Sequence, residues 1–383
     1  MMQTLFDLCV FADRRVAVAG LNLDTYISTE NMLPNKEGIT RSAGLPAVTQ
    51  VQAYHAEDVL VLRTREGCNP VFLYYLLSDD SFFDYATATA KGTKMPRGDK
   101  DAIMQYEVPD LPLDIQIGIA DVLSALDGRI ATNKAINHHL EQIAQAIFKS
   151  RFVDFEPFED GGFVESELGE IPVGWSTLPI EAIAEKVAMG PFGSNIKVET
   201  FVGSGVPIIS GNHLRELYLD ELSYNFVTEE HARRLSNSLV RAGDIVFTHA
   251  GNIGQVALIP DDCEYPYYVI SQRQFYLRCD RQKAVPEYIN YYFHNREGQG
   301  KLLANASQTG VPSIVRPSSH LKAIIVPIPP IEIQMEWLDT VKPMFQTLNN
   351  NSKETKRLTA VRDSLLPRLM SGELSVTALS GVK

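Results

Sequence analysis

Apolar residues recur seven apart between residues 112 and 152, where Ile119, Leu126, Leu140 and Ile147 share one row with a single polar member, Asn133. A neighbouring row holds Ile115, Val122, Ile136 and Ile143, and only Arg129 interrupts it. Two adjacent heptad rows make the seam of a coiled coil. The same register returns between residues 330 and 372 without a gap at a shift of 218 (333 − 115), so Ile115-Gln116 matches Ile333-Gln334 and Asn133 matches Asn351. Trp337, Met344, Asn351, Leu358 and Leu365 form the second main row; its neighbour mixes Ile333 and Val361 with Thr340, Thr347 and Glu354. Two long helices that pair with each other are predicted, with Asn133 and Asn351 satisfying one another where the seam is otherwise apolar. Pro343 predicts a kink or a late start in the second helix.

The helices divide the chain into repeated halves. Pro70 to Leu77 parallels Pro286 to Phe293 at a shift of 216, and both halves reach a Val-Pro strand end, Val108-Pro109 and Val326-Pro327, just before the helix. Glu57 to Val61 resembles Gly243 to Phe247 at a shift of only 186 (243 − 57). The first half is therefore expected to lack about thirty residues (216 − 186) that the second has between Phe247 and Leu277, as well as the lead-in Gly169 to Trp175. Short β-rich runs at Val206 to Ile209, Asp244 to Phe247, Gln255 to Ile259 and Phe275 to Leu277, punctuated by Gly and Pro, predict mixed α+β modules. The expected division is 1–111, a shortened first domain; 112–152, a first helix; 153–168, a linker; 169–329, a second domain; 330–372, a second helix; and 373–383, a tail.

With 383 residues, 45% apolar, the chain can build two or three proper cores. No apolar run approaches the ~20 residues that span a bilayer, and Met1 to Phe11 lacks a basic leader, so a cytoplasmic protein is expected. Cys9, Cys68, Cys263 and Cys279 are scattered without a CxxC pair, which predicts reduced thiols and no zinc site. The net charge of −12 argues against nucleic acid, yet between Tyr265 and Pro327 eight cations face three carboxylates, a local excess of 8 − 3 = +5.

Catalytic motifs are missing. Phe201-Val202-Gly203-Ser204-Gly205 has the spacing of a methyl-donor loop, but no acid or Asn precedes a Pro-Pro-aromatic, and a turn before a strand explains the glycines. There is no P-loop, GxSxG or HExxH, and no cofactor is expected. Three polar loops look suited to binding. They are Gly190 to Lys197, with Ser194, Asn195 and Lys197; Thr248 to Gln255, with Thr248 and Asn252; and Ser307 to Arg316, with Gln308, Thr309, Ser313 and Arg316. Amides and guanidiniums read base edges, whereas hydroxyls, backbone amides and lysines hold phosphates. Singly, each loop reads more readily as a solvated turn; together with Gln272, Arg273 and Lys301 they favour DNA. The first half keeps the counterpart of the third loop, with Lys91, Lys94 and Arg97.

The repeat, together with Leu126-Asp127-Gly128-Arg129-Ile130, Ala146 to Phe155, Leu168 to Trp175 and Leu365 to Leu374, resembles the specificity subunit of type I restriction-modification systems over essentially the whole chain. The resemblance implies two target-recognition domains of mixed α/β structure, separated by two long antiparallel coiled-coil helices in a pseudo-two-fold repeat. Each domain would read half of a bipartite double-stranded DNA target. The helices would act as a ruler and dock two modification subunits, which carry the methyl-transfer chemistry, while restriction subunits carry translocation and cleavage. The specificity subunit itself would catalyse nothing. A stand-alone methyltransferase or nuclease, and a coiled-coil interaction protein without DNA affinity, are the competing readings. The first would transfer methyl groups alone, and the second would lack a salt-dependent affinity for DNA.

Overall fold

The computed structural model describes residues 2–12, 15–17, 50–52, 59–92, 97–193, 196–221, 223–307 and 310–376. Two 40-residue helices, Leu113–Phe152 and Ile331–Met370, run through a chain that divides into two compact units. One unit comprises Met1–Ile136 with Asn350–Lys383, and the other Asn137–Asn349, so each contains half of both helices. No helix among the described residues is long and apolar enough to cross a membrane.

In the second unit, an antiparallel four-stranded sheet runs in the order Ala184–Met189, Gln274–Cys279, Asp244–Thr248, Val256–Leu258. A second sheet orders Asn225–Val227, Val206–Ile209, Tyr268–Ile270 and Leu239–Val240, with its middle pair parallel. The main core packs the helices around Phe148, Phe152, Tyr288 and Trp337. The expected linker is ordered structure: a 3₁₀ turn, Glu156–Gly161, leads into a hairpin of Phe163–Ser166 with Gly169–Pro172, and Phe155 and Phe158 pack edge-on against Trp175 at 5.3 Å. The Phe201 to Gly205 turn does lead into a strand, and a Cβ at Gly205 would lie 2.3 Å from the Val227 carbonyl oxygen.

The first unit repeats the frame of the second. Met2–Thr4 pairs with Glu107–Pro109 as Ser176–Pro179 pairs with Ile325–Ile328, and Gln3↔Val108 corresponds to Leu178↔Val326. Cys9–Phe11 pairs with Leu62–Thr64 as Ala184–Met189 pairs with Gln274–Cys279. Registers place Cys9↔Thr64 opposite Ala184↔Cys279 and Phe11↔Leu62 opposite Val187↔Leu277, which corrects the expected alignment of Val59 to Val61. That run leads into the counterpart of Gln274–Cys279, not of Asp244–Thr248, because apolar strands look alike in sequence whereas hydrogen-bond partners differ. The deficit becomes (286 − 70) − (178 − 3) = 41 residues between Gln3 and Pro70, of which (277 − 187) − (62 − 11) = 39 lie between Phe11 and Leu62. Within that span the described residues form only one pairing, Arg15–Ala17 with Gln50–Gln52.

The strongest sign of the repeat is a buried glutamine in the first turn of each long helix. Gln116 accepts from the Asn69 amide at 2.9 Å and donates to the carbonyls of Leu111 at 2.9 Å and Gly67 at 3.3 Å. Gln334 accepts from the Val285 amide at 2.8 Å and donates to Pro329 at 2.8 Å and Lys283 at 3.4 Å. Each ties its helix to a strand end, a loop and the N-terminus of a domain helix, Pro70–Ser78 or Pro286–His294.

These glutamines also set the rotation of the helices. Gln116, Leu123, Ile130 and Ala144 are buried, as are Gln334, Val341, Leu348 and Leu369, all at spacings of seven or multiples of it. The expected second row is only partly engaged: Ile115, Val122 and Ile333 are half-buried against the cores, whereas Ile136 is 39% and Ile143 47% exposed, and Thr340, Thr347 and Val361 are exposed too. Rows on either side of a main row are equivalent by spacing, and the need to bury Gln116 selects the less apolar one in the first helix. On the main rows, Ile119, Asn133 and Trp337 are buried, whereas Leu126, Leu140, Ile147, Met344, Asn351, Leu358 and Leu365 are half-buried. The second helix neither starts late nor ends at Pro343; it loses one helical bond there and continues to Met370.

Within the first unit the helices run antiparallel, with Arg362 on Asp127 at 2.7 Å and Arg129 on Glu354 at 3.0 Å. Within the second, Arg151 meets Glu336 at 2.6 Å and Asn137 donates to the Leu348 carbonyl at 3.2 Å. The expected reciprocal pair of asparagines is replaced. Asn133 donates its amide to Glu354 at 2.8 Å, and its buried Oδ1 has no partner among the described residues.

Two predictions follow from this bonding. Gln334→Leu strands one amide and two carbonyls, so chemical denaturation should show the second unit less stable by about 3 kcal/mol, at about 1 kcal/mol per orphaned group and with the first unit unchanged. Asn133→Leu removes an orphaned carbonyl along with one half-exposed contact, so its stability change should stay within about 1 kcal/mol. A double-mutant cycle should couple residue 133 to Glu354 and not to Asn351; a coupling to Asn351 above about 0.5 kcal/mol would restore the asparagine pair.

Candidate nucleic-acid interface

The strand Asp244–Thr248 ends at a loop closed by two backbone bonds, Thr248 to Gln255 at 2.9 Å and Gly254 to Thr248 at 3.2 Å. Beyond Thr248 the chain lies between two other loops. His249 donates its amide to the Arg273 carbonyl at 2.9 Å on one side, while on the other its carbonyl accepts from Ile314 at 2.8 Å and Gly251 donates to Pro312 at 2.9 Å. Burial holds the His249 imidazole below the usual histidine range, and the neutral ring donates Nε2–H to the Gln272 carbonyl at 3.2 Å.

The Gly190 loop joins the same cluster. Gly190 donates to the Gln274 carbonyl at 2.7 Å, and a Cβ there would lie 1.9 Å from the Ser271 carbonyl oxygen, so only glycine lets the two backbones meet. Gln274 is fully buried and accepts from the Ser271 amide at 2.9 Å, which holds the Ser271 to Gln274 turn in shape. The Gly190 and Thr248 loops thereby meet at one turn, and the Ser307 loop is joined to them through the Thr248 loop.

The predicted residues separate into groups. Lys197, Asn252, Gln272, Arg273 and Arg316 are exposed, and among the described residues no carboxylate pairs with Arg273. Arg316 sits in the left-handed region, φ 48°, at the N-terminus of the helix Pro317–Ala323. Ser313 is half-buried and pairs in a short ladder with Ser307. Thr248 is only 3% exposed and serves the strand end, so it is not available to a ligand. Lys301 is engaged internally, with Glu297 at 2.7 Å and the Ile325 carbonyl at 2.9 Å. In the first unit Lys91 pairs with Asp99 and exchanges backbone bonds with Arg97. Lys94, Ser194, Asn195, Gln308 and Thr309 lie outside the described residues.

The local basic field is weaker than its formal count. Arg278 holds the buried Asp244 through two bonds of 2.7 and 2.6 Å, and Arg281, Lys283 and Lys322 pair with Asp261, Asp280 and Glu181. With Lys301 on Glu297, five of the eight cations are neutralised, leaving Arg273, Arg296 and Arg316. Sequence reasoning missed this because Asp244, Asp261 and Glu181 lie outside the counted window. The buried glutamines were also missed, although their recurrence at a shift of 218 inside a seam was a visible signal.

Cys9, Cys68 and Cys279 are buried free thiols, and burial pushes the Cys9 thiol up to about 11. Among the described residues no group of three or more His, Cys, Asp or Glu side chains is placed to hold a metal ion.

Two α+β units sharing a long antiparallel helix pair, one of them presenting a cluster of polar loops, define a modular recognition protein. The family model described as the type I restriction modification DNA specificity domain matches residues 23–142 and 172–360. The chain is 27% identical over 327 residues to the type I restriction enzyme MjaIX specificity subunit of Methanocaldococcus jannaschii, covering 82% of this chain and 71% of that protein. To the HindI specificity subunit of Haemophilus influenzae it is 24% identical over 368 residues, covering 80% of this chain and 77% of the relative. Its fold is similar to that of the type I restriction-modification S subunit from M. genitalium, with a TM-score of 0.61 at 15% identity over 97% of this chain and 96% of that one. This chain belongs to the family of type I restriction-modification specificity subunits.

If Arg273 reads a base edge, Arg273→Ala should weaken binding to the specific duplex by roughly 1 to 3 kcal/mol and leave random duplex nearly unchanged. Lys197→Ala and Arg316→Ala should weaken both duplexes alike. Lys301→Ala, its ammonium already engaged, should alter thermal stability and leave affinity unchanged. Equal losses on both duplexes for Arg273→Ala would remove it from base reading.

Proposed function

We propose that this chain is the DNA-recognition and scaffolding subunit of a type I restriction-modification complex, and that the loop cluster of its second unit reads one half of a bipartite target. The observation that carries the reading is that the Gly190 and Thr248 loops both bond to the Ser271 to Gln274 turn and the Ser307 loop bonds to the Thr248 loop, with Asn252, Gln272 and Arg273 exposed. Amides and a guanidinium on a backbone-braced platform suit base edges, and the neighbouring Lys197 and Arg316 suit phosphates. The helix pair would fix the half-site spacing and dock two modification subunits, with restriction subunits added to the same complex in the cytoplasm. Methyl transfer, translocation and cleavage belong to those partners in this reading, and the chain alone catalyses nothing.

The first unit keeps the frame that supports such loops and is 39 residues short in the span that, in the second unit, contributes to them. Its half of the target is proposed to be degenerate. Methylation-site mapping in a cell carrying this chain and its modification partner tests both statements: the expected pattern is one specified half-site and one loose half-site. Two fully specified half-sites would restore recognition by the first unit, and no sequence preference at all would overturn DNA reading by this chain.

A further inference from the structure

Phe192 is 75% exposed, although the residue before it is buried and Gly190, two residues earlier, is braced. Gly190 is pinned to the Gln274 carbonyl and pressed against Ser271, Pro191 is fixed by its ring, and Gly193 turns the chain at φ 65°. The phenyl ring is thus presented to solvent by a backbone that has little freedom to withdraw it, and it forgoes the burial a phenyl ring ordinarily gains. Its position is informative. Two residues away lies the bond to the turn that carries Gln272 and Arg273, and Phe192 lines a shallow hollow of about 460 Å³ with Ser318, two residues beyond Arg316. The hollow reaches the first turn of the Pro317–Ala323 helix, whose N-cap is Arg316.

We propose that Phe192 is a wedge that enters the DNA stack at one base step of the half-site read by the second unit. An aromatic ring stacks on any base, and apolar side chains inserted between base pairs unstack the step and kink the duplex. Pyrimidine–purine steps open most readily, so the wedge selects for a TA or CA/TG step that no hydrogen bond of the loops reads. This inference rests on the loop cluster being a DNA interface, and it adds a source of specificity that polar contacts do not supply.

The test uses the full chain assembled with its modification subunits and duplexes of the mapped target, with 2-aminopurine placed in turn at each purine of that half-site. One position is expected to brighten several-fold on binding, at a pyrimidine–purine step. Phe192→Ala should abolish the signal and weaken target binding roughly tenfold, with random duplex changed less than about twofold. Phe192→Leu, which keeps an apolar wedge, should retain part of the signal, and thermal unfolding of both variants should match the parent because the ring is exposed. A target that is preferred over random duplex while every position stays dark overturns the wedge and leaves DNA reading intact. Loss of subunit assembly rather than of DNA binding in Phe192→Ala also overturns it, assigning the ring to a protein contact. No preference for the target by the parent complex overturns the DNA reading, and the wedge with it.

Discussion

The constraint on which each unit depends is the burial of one glutamine where a domain meets its long helix. Gln116 and Gln334 each bind three backbone groups that no helix or strand ladder satisfies, and both are at most 2% exposed. A buried peptide group without a partner costs about 1 to 3 kcal/mol, so an apolar side chain of the same shape would leave a deficit comparable with much of a domain's stability. The neighbouring positions tolerate change, as Leu123 and Val341 illustrate at equivalent sites. The amide does not, because only a group with one acceptor and two donors at that reach fits the three partners. Helix rotation follows: once the glutamine faces inward, its heptad row faces inward, whatever the apolar content of the competing row.

Electrostatics on the second unit are similarly decided by a few pairs. Most cations near the loops are balanced by carboxylates from other elements, and the buried Asp244–Arg278 pair joins two adjacent strands of the first sheet, where breaking it would strand a charge. What is left for a ligand is a small set: Arg273, Arg296 and Arg316 of the eight between Tyr265 and Pro327, with Lys197 upstream of them. So few free cations support only a shallow salt dependence, with a slope on the order of −2 to −3 for the chain's own contacts. An acidic chain that recognises DNA in this way gains its specificity from placement rather than from net attraction, and partner subunits would supply further phosphate contacts.

Much of this architecture was legible in the sequence, for identifiable reasons. Heptad spacing over 40 residues leaves little ambiguity about a long helix, and the repeat at a constant shift locates both helices within one or two residues of their ends. The loops were legible because glycine and small polar residues interrupt β-rich runs. Helix rotation was not, since Ile136 and Ile143 made the wrong row look more apolar than the row of Gln116 and Ile130. Ion pairing was not either, because the carboxylate that neutralises Lys322 is Glu181, 141 positions away. The size of the deletion was misjudged because one apolar run resembles another; only the register of Phe11 on Leu62 shows which strand it precedes.

The position of that deletion separates two functions of the fold. In the second unit the buried clusters around Tyr268 and Tyr276 and around Val206 and Val269 lie wholly between residues 206 and 276, apart from the core that packs on the helices. The first unit, among its described residues, has one buried cluster, built from Leu5, Phe72, Leu76, Ile119, Leu123 and Leu369, the counterpart of that helix-packed core. A segment with its own hydrophobic clusters can be shortened without opening a cavity in the layer beneath it, whereas losing a strand of the frame would strand the partners of Gln116. The reading layer is therefore free to vary in length and the anchoring layer is not. Residues 12 to 61 are where a chain of this kind can be 39 residues shorter than its second repeat and still keep the frame that anchors its helices.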